Sequence, residues 1–102
     1  MTIRTTTRDV CTIARALRNG EPFTTSGALS GEAYPLLVGG GRLSYDWASR
    51  IDRPVYVVRS YATAIAWQNY DGTWVVPDDK YSPTTSKHQT TVRRALRLVG
   101  MS

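Results

Sequence analysis

The stretch from Val55 to Val76 constrains this chain's fold more than any other. Val55-Tyr56-Val57-Val58-Arg59-Ser60-Tyr61 is dense in β-branched and aromatic residues, which suit a pleated, half-buried surface. Ala64-Ile65-Ala66-Trp67 follows, then Asn69-Tyr70-Asp71-Gly72, then Thr73-Trp74-Val75-Val76. Asp-Gly between two such runs signals a hairpin, because glycine supplies the positive φ the turn requires. Pro77 cannot donate to a strand ladder and closes the third strand. The segment predicts a three-stranded antiparallel meander. Paired across the hairpin, Trp67 and Trp74 would give one sheet face a large aromatic surface.

Such a meander needs cover, and the two ends of the chain supply it. Val10, Ile13, Ala14 and Leu17 recur at helical spacing, predicting a helix from Thr7 to Arg18. Thr6 or Thr7 can cap its start, Asp9 suits the helix dipole, and Asn19-Gly20 can end it. Val92, Ala95, Leu96 and Val99 repeat the pattern in a second helix, from Pro83 or Thr84 to Val99. Ser82-Pro83 reads as an N-cap followed by proline at the first helical position. Residues 19–54 read as irregular. Their candidate strands are Phe23-Thr24-Thr25 and Leu36-Leu37-Val38, with one helical turn over 45–50. The expected fold is a single small α+β domain over residues 1–102, with two layers: an antiparallel three-stranded meander flanked by an N-terminal and a C-terminal amphipathic helix.

With 102 residues, 41% of them hydrophobic and 21% charged, the chain can bury a core without staples. Cys11 is the only cysteine. This excludes an internal disulfide and a cysteine-rich zinc site, and its place within the apolar helical pattern predicts a buried thiol. There is no apolar run of membrane-spanning length and no signal-like N-terminus. The reading is a cytoplasmic protein without a membrane partner or cofactor.

The net charge of +5 is unevenly spread. Arg4, Arg8, Arg15 and Arg18 face only Asp9 in the first twenty residues. Lys80, Lys87, Arg93, Arg94 and Arg97 face no acid at the C-terminal end. The middle is acidic. Basic ends point to a polyanion-facing surface, or to ends that pack on the acidic middle and neutralise it. On the last helix, Lys87, Arg94 and Arg97 share the face opposite the apolar stripe, with Arg93 beside it. That face could track a phosphate backbone. At the helix start, Lys80, Ser82, Thr84, Thr85, Ser86 and Lys87 crowd hydroxyls and cations around free backbone amides, which suits a phosphate and equally suits dense capping. Tyr61, Trp67 and Trp74 are the candidate stacking residues for bases.

No catalytic or metal-ligating set emerges. His88 is the only histidine and falls on the apolar side of the last helix. A general base needs a nucleophile or an orienting carboxylate beside it. Asp78-Asp79 reads as a solvated turn, and Gly39-Gly40-Gly41 lacks the Gly-Lys-Ser/Thr ending of a phosphate loop. The chain therefore reads as a non-enzyme.

Ser60-Tyr61-Ala62-Thr63-Ala64-Ile65-Ala66-Trp67, then Gly72-Thr73-Trp74, then Lys80-Tyr81-Ser82-Pro83-Thr84-Thr85-Ser86-Lys87-His88-Gln89 resembles a family of small uncharacterised proteins of actinobacterial phages, bacteria and plasmids. Its pattern is "SYxTxIAW", a tryptophan strand, "YSxTTSxHQ" and an arginine-rich helix. The resemblance spans Tyr56 to Leu96. It departs at Ala62 and Ala64, where the family more often carries Gly and Pro. It implies a small-genome context and no assigned activity. Eleven arginines against two lysines agree with a GC-rich host. The leading expectation is an accessory protein that binds DNA or RNA through the basic C-terminal helix. The alternative is a protein-interaction module that binds or inhibits a host protein.

Overall fold

A computed structural model describes residues 2–36, 43–78 and 82–100. Six strands among these residues form one mixed sheet in sequential order: β1 (Ile3–Thr5), β2 (Phe23–Thr25), β3 (Leu29–Ala33), β4 (Tyr56–Ser60), β5 (Thr63–Gln68) and β6 (Trp74–Val75). Three helices accompany them: α1 (Val10–Asn19), α2 (Tyr45–Ala48) and α3 (Pro83–Leu98). β1 and β2 are parallel, joined through α1. Every other neighbouring pair is antiparallel.

The sheet is covered on both faces. Tyr56, Val58, Ile65 and Ala66 turn to one side and pack with Phe23 and Leu29 against Ile13, Leu17, Val92, Ala95 and Leu96 of α1 and α3. Val57, Ala64 and Trp67 turn to the other, where Leu43, Trp47, Ile51 and Val75 close over them. Ile65 and Ala66 are adjacent yet serve the same face, because the ladder shifts between Val58 and Arg59. One extra residue on β5 at such a shift restarts the alternation.

The expected two-layer meander with two helices is thus corrected to a six-stranded sheet between helices on both faces. β4, β5 and β6 are the meander. The missed half is β1, β2 and β3. β1 is three residues long with one apolar side chain. In β3 the buried positions are Leu29 and Gly31, with Ala33 partly buried, so the period-two signal fades into small residues. Gly31 is required there: a Cβ would run into the Tyr56 hydroxyl and the Phe23 ring. Tyr56 Oη passes over Gly31 to donate to Glu21 O at 2.7 Å, and burial pushes this phenol's pKa up. Residues 19–54 are accordingly less irregular than expected. The Phe23–Thr25 strand and the turn of helix at Tyr45–Ala48 form. Leu36 is fully exposed and outside any strand, and Leu37 and Val38 lie outside the described residues.

Local corrections follow from hydrogen bonding. α1 starts at Val10, later than Thr7, because the cap is Asp9, whose carboxylate accepts from Thr12 N at 3.2 Å and Thr5 Oγ1 at 2.9 Å. Gly20 ends it in the left-handed region at φ 66°. Cys11 is exposed: it follows Val10 by one residue, and one step of 100° carries it off the apolar stripe.

Trp67 and Trp74 do not share a face. A two-residue turn at Asp71-Gly72 would set Asn69 opposite Trp74, on the face of Trp67. The observed register sets Gln68 opposite Trp74 and Val75 opposite Trp67, and one residue of slip exchanges faces. Trp67 is sealed among the residues around α2, while Trp74 packs on Tyr56 with ring centroids 5.8 Å apart.

Candidate functional site

α1 and α3 lie side by side on one sheet face. Neither helix contains an acidic residue. Arg15 and Arg18 are exposed on α1, and Lys87, Arg94 and Arg97 on α3. The two basic ends of the sequence therefore pack on each other and, through their apolar faces, on the sheet built by the middle. The two ion pairs among the described residues, Arg53–Asp52 and Arg59–Glu32, involve neither helix.

Between the helices runs an open cleft of about 480 Å³ lined by Thr7, Arg8, Val10, Thr84, Lys87, His88, Thr91 and Arg94. It brings together three cations, three hydroxyls and an imidazole, with no carboxylate. A shallower recess beside it is lined by Ser60, Tyr61, Thr63, Ser82, Thr84 and Thr85. Thr84 borders both, so the surface is continuous from Tyr61 to Arg94. Tyr61 is 64% exposed and held at φ 59° in the turn between β4 and β5.

The start of α3 is a tight lock. Ser82 caps the helix, accepting from Thr85 N at 3.2 Å and donating to Thr85 Oγ1 at 3.1 Å. Thr85 Oγ1 lies 3.1 Å from Ser60 Oγ, which lies 2.7 Å from His88 Nδ1. Gln89 Nε2 and Arg93 Nη2 both donate to Pro77 O, at 3.1 and 3.0 Å. These bonds fasten α3 to the end of β4 and to the segment after β6. Burial lowers the pKa of His88, so its ring favours the neutral form. Ser60 and His88 stand at the distance of a nucleophile and its base. Ser60, however, is 1% exposed, and no carboxylate orients the ring among the described residues.

The predicted site residues therefore divide. Thr84, Lys87, Arg94 and Arg97 are exposed on or beside the cleft. Ser82 and Thr85 turn inward as lock residues, and Ser86 is half-buried in the first turns. Arg93 is half-buried on Pro77 O. Lys80 lies outside the described residues. Of the stacking candidates, Tyr61 is accessible, Trp67 is fully buried, and Trp74 is half-buried against the core. Trp67 is corrected from ligand surface to packing, while Trp74 keeps part of its surface in a recess with Arg93 and Arg97. Arg8, Thr7, Thr91 and His88 were not foreseen as cleft residues. The unbalanced arginines of the N-terminal segment were the available signal, but only the pairing of α1 with α3 puts them beside the C-terminal cations.

Among the described residues, no helix is long and apolar enough to cross a membrane, and no group of three or more metal-binding side chains is present. The model of a family of unknown function, DUF8033, matches residues 4–96, so the chain belongs to that family. The match extends well beyond the stretch from Tyr56 to Leu96 and takes in Arg8, Lys87 and Arg94 together. No curated protein and no solved structure matches the chain.

Proposed function

We propose that this member of a family of unknown function is a small accessory protein of phage or plasmid type that binds nucleic acid in the host cytoplasm. Its α1–α3 face would meet the phosphate backbone. The observation that carries the reading is the cleft lined by Arg8, Lys87 and Arg94 with threonine hydroxyls and no acid. Cations and hydroxyls without opposing carboxylates are the chemistry that holds phosphates. From Lys87 to Arg97 the helix advances about 15 Å, the length of roughly four phosphates along one strand. Tyr61, exposed at the end of the same surface, supports stacking of an unpaired base.

The test is titration of nuclease-treated protein into fluorescent duplex and single-stranded oligonucleotides. With Arg8, Lys87, Arg94 and Arg97 each meeting a phosphate, affinity for duplex should fall about 100-fold between roughly 50 and 200 mM salt. No binding at the lower salt would overturn the reading. Co-purification of one host protein, insensitive to nuclease, would then favour the interaction module, for which exposed Leu98 beside Val10, Arg94 and Arg97 is the candidate contact.

A further inference from the structure

His88 is 6% exposed, yet its ring lines the cationic cleft. The hydroxyl row behind it engages Nδ1 and leaves Nε2 as the nitrogen that can act there. Ser82 donates to Thr85 Oγ1, and the row is completed when the Thr85 hydroxyl donates to Ser60 Oγ and the Ser60 hydroxyl to His88 Nδ1, one of the two directions its contacts allow. A neutral imidazole that accepts at Nδ1 carries its proton on Nε2. Among the described residues, the side-chain polar atoms sealed from solvent without a hydrogen-bond partner are the indole nitrogens of Trp67 and Trp74. His88 Nε2 has no protein partner among those residues either. Since it is not one of the sealed atoms, it keeps contact with solvent, and His88 is a residue of the cleft wall.

We propose that the cleft seats a phosphate group that accepts a hydrogen bond from His88 Nε2–H, with Ser60 as the positioning residue that holds the proton there. This rests on the phosphate-binding reading of the same face and deepens it. Arg8 on the α1 side and Lys87 and Arg94 on α3 supply the charge, and Thr7 and Thr84 supply hydroxyls, the Thr91 hydroxyl donating to Lys87 O. On the β4 side the ring meets the uncharged Ser60. Burial opposes protonation of the ring. His88 therefore acts as a neutral, directional donor inside a charged seat. Ser60 touches no ligand. It acts by excluding the tautomer that would present a lone pair to the phosphate.

Because the chain has one histidine, imidazole nitrogen NMR on the intact protein reads His88 without ambiguity. The free protein should show Nε2 protonated and Nδ1 unprotonated at neutral pH. Inorganic phosphate, added against chloride of matched ionic strength, should move the Nε2 resonance saturably and Nδ1 much less. A short single-stranded oligonucleotide should do the same. Ser60→Ala should mix the tautomers and weaken phosphate binding about three- to tenfold, the scale of one oriented hydrogen bond. An Nδ1-protonated ring, or an Nε2 resonance that saturating phosphate and oligonucleotide leave unmoved, overturns the proposal even if the oligonucleotide binds. Phosphate moving Nε2 while no oligonucleotide binds upholds the seat and removes the nucleic-acid reading instead.

Discussion

Ser60 Oγ sits 2.7 Å from His88 Nδ1, and this contact ties the end of the most buried pair of strands to the second turn of α3. Both groups are nearly sealed from water, at 1% and 6% exposure. Removing the hydroxyl in Ser60→Ala strands the imidazole nitrogen and one bond of Thr85. The expected cost is about 1–3 kcal/mol, the range for an unsatisfied buried polar group. Urea unfolding should show a lower midpoint with an unchanged slope. An unchanged midpoint would mean that solvent reaches the row and the lock contributes little.

The same histidine gives stability a pH dependence of definite sign. Burial lowers its pKa in the folded chain below 6.5, the ordinary value. Above 6.5 both states are neutral and His88 adds no slope. As pH falls below it, the unfolded chain takes up the proton first, so stability declines until the folded-state pKa is reached and then levels off. His88→Gln should abolish the slope in that window. Asp9 and Asp71, held below 3.8 mainly by hydrogen bonds from Thr12 and Thr73, lose their contributions only in more acid solution. Urea midpoints measured across the weakly acid range on both proteins would separate the two effects.

Gly31 is the third test. Its position in β3 leaves no room for a side chain beneath Tyr56 and Phe23. Gly31→Ala must displace one of two fully buried rings, or break the 2.7 Å bond from Tyr56 Oη to Glu21 O. The expected loss is about 1–3 kcal/mol from overpacking, and more if that bond breaks. Gly72→Ala makes the contrast: it meets no atom, and its strain comes from a φ of 90° alone. Thermal unfolding of the two variants would distinguish crowding from backbone conformation.

Elements with a strong period were legible in the sequence. Val92, Ala95 and Leu96 are all sealed, as their spacing required, and Ser82 and Pro83 begin α3 as their chemistry required. β3 was hidden because Gly31 stands where an apolar residue would have announced a strand. β1 was hidden because three residues carry too little pattern to read. The tryptophan pairing failed on a single residue of register, which composition does not encode. The candidate site was legible in the cations of α3 and in Thr84 and Tyr61. That Lys87 and Arg94 face the cleft while Thr85 turns inward to Ser60 depends on where β4 ends. That Arg8 joins them depends on helix pairing across most of the chain length.

Arg93 and Arg94 carry the sharpest division between lock and site. They are adjacent and chemically identical, yet 100° of helix turn separates them. Arg93 donates to Pro77 O at 3.0 Å and lines the recess with Trp74, Val76, Leu96 and Arg97. Arg94 is exposed in the cationic cleft. Arg93→Ala should cost roughly 1 kcal/mol of stability, from a charge-assisted bond and the packing of its stem, with little change in the salt dependence of oligonucleotide binding. Arg94→Ala should leave the unfolding midpoint nearly unchanged. It should also lower the slope of log K against log salt by about 0.9 on duplex, the share of one phosphate contact. If both variants lose affinity equally at constant stability, the whole outer surface of α3 binds, and the cleft has no privileged place in it.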